Sequence, residues 1–183
     1  FEAVGREHRA ARERVALFDQ TSFAKFLMIG RDAEAALSWI CANDVDKPVG
    51  SLIYMQMLDE RGGIQCDLTV GRTAEHEFSV VTGTGFATHD FDWISRSIPE
   101  GLDAQLIDVT SSYAVLSVMG PESRDVLQQL TEHDMSNAGF PFGRVKRITV
   151  AGAPVLALRV TYVGELGWEL HISVEFALTV YDA

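Results

Sequence analysis

The stretch FAKFLMIGRDAEAALSWI, Phe23–Ile40, decides the fold because it recurs. YAVLSVMGPESRDVLQQL, Tyr113–Leu130, repeats its pattern at a spacing of 90 residues. Phe23 aligns with Tyr113, Gly30 with Gly120 and Leu37 with Leu127. Both copies read as a strand, a glycine turn and a helix. In the first copy Asp32 leads the helix, and Ala33, Ala36, Leu37 and Ile40 form its apolar stripe. In the second, Pro121 stands where a first-turn proline is tolerated, and Val126, Leu127 and Leu130 form the stripe.

The same offset returns downstream. FSVVTGTGFATHDFD (Phe78–Asp92) aligns with WELHISVEFALTVYD (Trp168–Asp182), pairing Phe78 with Trp168 and Phe86 with Phe176. Two matches at one offset, in the same order, point to an internal duplication with copies at about 22–98 and 112–183. Each copy reads as strand, helix, two or three further strands, then helix. Turn signals stand at Glu60–Gly63 and Ala151–Pro154. Hairpins outnumber parallel crossovers, so the expected class is α+β, with duplicated antiparallel sheet-plus-helix units. A further helix is expected over Glu2–Leu17, and Pro99–Asp108 joins the copies. Phe1 opens directly on a helical pattern and VEFALTVYDA stops inside an amphipathic one, so the chain is expected to be part of a longer polypeptide.

Composition removes several function classes. The net charge is −11, and the 15 Lys and Arg are scattered singly, which argues against a nucleic-acid or anionic-membrane surface. At 47% hydrophobic residues and without an apolar run of membrane-spanning length, the chain reads as a soluble globular protein. Cys41 and Cys66 each sit in an apolar run and read as buried free thiols, which suits a reducing compartment. His8, His76, His89, His133 and His171 offer no pair at helical i, i+4 spacing, so no metal site is expected. TGTG (Thr82–Gly85) lacks the P-loop lysine and the dinucleotide fingerprint, and reads as a turn and helix cap. Ser111 and Ser112 have no nucleophile elbow around them. Asn137–Gly143 reads as an aromatic-lined loop.

Two carboxylates fall inside strands. In Ile64–Val70, Ile64, Cys66, Leu68 and Val70 share one face, which puts Gln65, Asp67 and Thr69 on the other. Just past the turn Val163–Gly167, Trp168, Leu170 and Ile172 share a face, and Glu169 and His171 take the opposite one. Asp67 and Glu169 either lie on solvated outer faces or converge on a cavity, and spacing alone leaves both open.

Four stretches carry a resemblance over essentially the whole chain: Arg6–Phe26, CANDVDKPVGSLIYMQMLDERGGIQCDLTV (Cys41–Val70), SNAGFPFG (Ser136–Gly143) and VTYVGELGWELHI (Val160–Ile172). Together they resemble the folate-binding domain shared by the glycine-cleavage T-protein (aminomethyltransferase) and the C-terminal half of dimethylglycine and sarcosine dehydrogenases. YVGELGWEL and SNAGFPFG are more similar to the dehydrogenase branch. The resemblance implies a duplicated α+β domain holding tetrahydrofolate in a central cavity. It implies Glu169 as the partner of the pterin amino-pyrimidine edge, with Glu165 as the fallback, and Tyr162 and Tyr54 as lining residues. It implies Asp67 as the catalytic carboxylate near the folate nitrogens that take up the one-carbon unit. The substrate implied is an N-methylated glycine derivative. FAD is implied only in an upstream domain, and the setting is the bacterial cytoplasm or the mitochondrial matrix. A free-standing aminomethyltransferase and a non-catalytic folate-binding regulatory paralogue are the alternatives. Cys66 stands where the T-protein often has an aspartate, and Ser79 and Gly83 replace larger folate-touching side chains. The resemblance also implies a C-terminal barrel, which is expected to lie outside these 183 residues.

Overall fold

The computed structural model describes residues 1–162 and 164–183. In chain order the elements are α1 (Glu2–Glu13), β1 (Ala16–Asp19), β2 (Ala24–Ile29), α2 (Ala33–Ile40), β3 (Leu52–Leu58), β4 (Ile64–Ala74) and β5 (Glu77–Thr82). They continue as α3 (Ala87–Ser97), β6 (Gln105–Asp108), β7 (Tyr113–Met119), α4 (Ser123–Leu130), β8 (Arg144–Val150), β9 (Ala153–Arg159), β10 (Gly167–Ser173) and α5 (Ala177–Asp182). The class is α+β, as expected, with two antiparallel sheets.

The chain divides into two compact units, 22–110 and 1–21 with 111–183. The first carries the sheet β3-β4-β5-β2-β6, and the second carries β8-β9-β10-β7-β1. Strand for strand the order is the same. In each sheet the strand before the helix (β2 or β7) pairs with the strand of the second matched segment (β5 or β10).

The edge strands are exchanged between the copies. β1, which leads into the first copy, pairs with β7 of the second, and β6, which leads into the second, pairs with β2 of the first. The hydrogen bonds that close each exchange are equivalent. Gln20 N donates to Val115 O at 2.9 Å, and Val109 N donates to Lys25 O at 2.9 Å. Thr21 Oγ1 accepts Val115 N at 3.1 Å, and Thr110 Oγ1 accepts Lys25 N at 3.1 Å. An aspartate two residues upstream stiffens each segment: Asp19 Oδ1 accepts Thr21 N and Asp108 Oδ1 accepts Thr110 N. This corrects the expected helix over Glu2–Leu17, which ends at Glu13 so that Ala16–Asp19 can pair as a strand.

Alternation along the strands sets the core. In the first unit Met55, Met57, Cys66, Leu68, Val70, Phe78 and Val80 turn toward Leu37 of α2 and Ile94 of α3. In the second, Val118, Val155, Ala157, Trp168, Leu170 and Ile172 turn toward Leu127 of α4 and Val180 of α5. Each sheet therefore has one face buried by its own helices. The candidate carboxylates lie on the other face.

The SNAGFPFG loop is fastened to the second core by two arginines. Arg159 donates to Phe140 O and, at 2.7 Å, to Asn137 Oδ1. Arg124 donates to the same Asn137 oxygen at 2.7 Å and to Met135 O at 2.9 Å. Both guanidiniums stack over Trp168, 5.8 and 5.3 Å from its centroid, while Phe140 meets that ring edge-on at 6.2 Å. Burial, together with the charge of Arg124, pulls the Arg159 pKa below its ordinary value.

Candidate functional site

In the first unit Asp67 sits mid-strand on β4, directly opposite Gln56 of β3. Gln56 Nε2 donates to Asp67 Oδ1 at 3.1 Å. Among the described residues Oδ2 takes no hydrogen bond, and the side chain is exposed. One oxygen is thus positioned and the other is left to accept a hydrogen bond or a proton. Tyr54 lies on the same face, opposite Thr69, and is 63% exposed. The hairpin that aims these residues is held by Asp59. Its carboxylate accepts the N–H groups of Arg61 and Gly63 at 2.9 and 2.8 Å and Gln65 Nε2 at 3.0 Å. Those backbone donors keep the Asp59 pKa below the ordinary aspartate value.

In the second unit Glu169 lies mid-strand on β10, flanked by Ser117 of β7 and Leu158 of β9. Ser117 is fully buried and donates to Gln20 Oε1 at 2.7 Å, so it does not serve the carboxylate. The Glu169 side chain is 17% exposed, and among the described residues the ionisable group beside it is His171, whose Nε2 lies 3.8 Å away, beyond hydrogen-bond reach. His171 is itself buried, and its Nε2 has no hydrogen-bond partner among the described residues. Two adjacent polar groups, an acceptor and an imidazole nitrogen, are thus left unsatisfied among the described residues. That is costly unless a ligand or water completes them.

Tyr162 and Glu165 lie on the connection from β9 to β10. Tyr162 N donates to Glu165 Oε1 at 3.3 Å, and the Tyr162 side chain is 95% exposed. Val163, which opens the expected turn, lies outside the described residues. Gly167, which starts β10, has no room for a side chain: a Cβ there would meet Met119 Sδ at 2.1 Å and Val118 O at 2.8 Å. Glycine therefore lets β10 lie close on β7 and fixes the register that places Glu169.

Sequence reasoning put His171 on the Glu169 face, but the burial of its unpartnered nitrogen emerges only from packing. It also missed Thr82, His89 and Asp90. The Asp90 carboxylate is 1% exposed, accepts the Thr82 hydroxyl and lies 2.9 Å from His89 Nδ1. Cys66, on the core face of β4, adjoins this pair, and burial followed by the charge of Asp90 pushes its thiol up to about 12.

A double α+β unit with the strand order β3-β4-β5-β2-β6 and its counterpart, each presenting one carboxylate on the face away from its helices, defines the class. The model of the GCVT N-terminal domain family matches residues 1–183, and the chain belongs to that family. It is 39% identical over 184 residues to the mitochondrial dimethylglycine dehydrogenase of Homo sapiens, covering 100% of this chain and 21% of that protein. It is 37% identical over 196 residues to the mitochondrial sarcosine dehydrogenase of Homo sapiens, again covering 100% of this chain and 21% of that protein. The chain therefore spans about a fifth of the length of these relatives. Among solved structures, the glycine cleavage system aminomethyltransferase T from Bartonella henselae superposes with a TM-score of 0.84 at 25% identity, covering 97% of this chain and 47% of that one. The chain is thus an aminomethyltransferase-like domain of an enzyme-related family. No helix among the described residues is long and apolar enough to cross a membrane.

Proposed function

We propose that this chain is the tetrahydrofolate-binding, methylene-transferring part of a flavin-dependent dimethylglycine or sarcosine dehydrogenase-like enzyme. The observation that supports the reading is the pair on β10: the Glu169 carboxylate, without a donor among the described residues, beside the buried Nε2 of His171. An amino-pyrimidine edge offers two adjacent N–H donors, which two carboxylate oxygens match as a fork. The residues present therefore fit the pterin group. Glu169 would hold it, with Tyr162 as a lining residue from the connection that precedes β10, and Tyr54 is kept as a lining candidate on the Asp67 face of the first unit.

Tetrahydrofolate, when bound, supplies the nitrogen nucleophiles that take up a one-carbon unit. Asp67, with one oxygen held by Gln56 and the other open among the described residues, would be the group to accept a proton released when a nitrogen takes up the one-carbon unit. Its negative charge also offsets the cationic character of an iminium substrate. In this reading the substrate is an N-methylated glycine derivative, oxidised by a flavin held elsewhere in the polypeptide. The setting is a bacterial cytoplasm or a mitochondrial matrix.

The test is titration calorimetry of the full polypeptide with tetrahydrofolate. Glu169→Ala should weaken binding by ~2–3 kcal/mol, about a hundredfold in Kd, the range for losing hydrogen bonds to a charged group. Amine-driven flavin reduction should be nearly unchanged. An unchanged affinity in Glu169→Ala with a large loss in Glu165→Ala would move the anchor into the β9–β10 connection. No loss in either would remove the reading.

A further inference from the structure

Cys66 of β4 and His89 and Asp90 of α3 meet on the helix-covered side of the first unit's sheet. Their ligand atoms (Sγ, one imidazole nitrogen and one carboxylate oxygen) all lie within 4.8 Å of one another. None of the three is needed for the reaction proposed above. Asp90 is 1% exposed, yet among the described residues the only basic side chain beside it is the imidazole of His89, and no Lys or Arg reaches it. A carboxylate so far from water is expensive without a countercharge.

We propose that Cys66, His89 and Asp90 form a binding site for a divalent cation of the zinc class. The ligand chemistry fits: one thiolate, one imidazole and one carboxylate form a mixed S/N/O set, which this cation accepts. The charges also close. A divalent cation, a Cys66 thiolate, an Asp90 carboxylate and a neutral His89 sum to zero, the thiol proton leaving to solvent as the metal–sulfur bond forms. Tetrahedral bonds of about 2.0–2.3 Å place ligand atoms roughly 3.5 Å apart, so small rotations of side chains already within 4.8 Å suffice.

The surroundings favour ligation. The Thr82 hydroxyl donates to Asp90 Oδ2, which holds the carboxylate and leaves Oδ1 for the metal on the His89 side. Trp93 stacks on the His89 ring, with centroids 6.4 Å apart and planes 12° from parallel, and fixes its orientation. The His89 side chain is 50% exposed, so a fourth ligand, water, can enter from solvent. A bound ion would tie α3 to β4 at the residue preceding Asp67, on the opposite face of the strand.

The experiment uses the full chain, freed of metal by a chelator and titrated with Co²⁺ and then Zn²⁺. Expected are one equivalent of Co²⁺, tetrahedral visible bands with a thiolate-to-cobalt charge-transfer band, and their loss as Zn²⁺ displaces it. Cys66→Ala should abolish the charge-transfer band, and Cys41→Ala should keep it. His89→Gln, at a half-exposed position that does not endanger folding, should weaken binding on the order of 100-fold. Absence of the charge-transfer band in the parent chain overturns the proposal. So does its persistence in Cys66→Ala, or an unchanged affinity in His89→Gln with native circular dichroism. Should Cys66→Ala fail to fold, His89→Gln decides alone.

Discussion

A Cβ on Gly30 would stand 2.2 Å from the carbonyl oxygen of Asp103, and Gly30 has φ +129°. That carbonyl accepts Asp32 N at 3.0 Å, so the chain entering β6 presses on the turn that starts α2. The second unit repeats the arrangement. Gly120, at φ +123°, would place a Cβ 2.5 Å from Arg14 O, which accepts Glu122 N at 2.9 Å. Only glycine tolerates both the backbone angle and the approach. Gly30→Ala and Gly120→Ala should therefore each destabilise the chain by about 2–4 kcal/mol. Gly62→Ala, at φ +79° with no atom within 4 Å of the built Cβ, should cost only about 1–2 kcal/mol. Urea unfolding of the three variants checks the ranking, and equal losses would mean that the close approach carries no energy.

Arg159 is the second test of packing. Its guanidinium supplies donors to Phe140 O and Asn137 Oδ1 and lies over Trp168. Arg159→Met keeps much of the stem but takes the guanidinium donor from Phe140 O and leaves Asn137 Oδ1 to Arg124 alone, at a cost of about 2–3 kcal/mol. Phe142, in the same loop but 66% exposed, should tolerate alanine within about 0.5 kcal/mol. Denaturant midpoints measure both, and a Phe142→Ala loss as large as that of Arg159→Met would refute the account of how this loop is held.

What was legible in the sequence was what depends on local pattern. The Gly30 and Gly120 turns, the helices behind them and the alternation that sets Asp67 and Glu169 apart from their apolar neighbours all follow from short-range spacing. The edge strands did not. Leu17-Phe18-Asp19 and Leu106-Ile107-Asp108 are counterparts, but they stand 89 rather than 90 residues apart, so the offset that found the other segments passes over them. Val15 and Leu17 also continue the apolar spacing of α1, and only pairing with distant β7 makes Ala16–Asp19 a strand. The Cys66, His89 and Asp90 cluster was invisible for a related reason. A search for histidine pairs along one helix cannot see ligands drawn from a strand and a helix more than 20 residues apart. The unpartnered Nε2 of His171 is likewise a product of burial, which sequence does not report.

If Asp67 acts as proposed, Asp67→Asn separates chemistry from binding. The amide keeps a carbonyl oxygen that can accept Gln56 Nε2, so the strand should hold its shape. It loses the negative charge and the basicity. In the full polypeptide, single-turnover methylene transfer should fall by at least about a hundredfold, within the range for a positioned general base, while tetrahydrofolate affinity changes little. A matched loss of affinity and rate would make Asp67 a binding residue, and unchanged transfer would remove it from the site.

The final prediction concerns pH and Cys41. Burial pushes this thiol up to about 12, whereas in the unfolded chain it ionises at about 8.5. The folded-state pKa is the raised one, so folding favours the protonated form. The stability this confers is fully present below pH ~8.5 and is lost progressively as pH rises from there toward 12, because only the unfolded chain releases the proton. Cys41→Ala should accordingly flatten the decline in stability above pH ~8.5 while leaving the profile at neutral pH unchanged in slope. The same shift predicts reactivity. At pH ~8.5 the folded chain should alkylate at Cys41 more than about a hundredfold slower than the urea-unfolded chain, since the thiolate is the nucleophile. Mass spectrometry of iodoacetamide-treated protein, resolved by peptide, reads both rates. Fast labelling of Cys41 in the native state would show that its thiol is open to water, and the pH argument would fall with it.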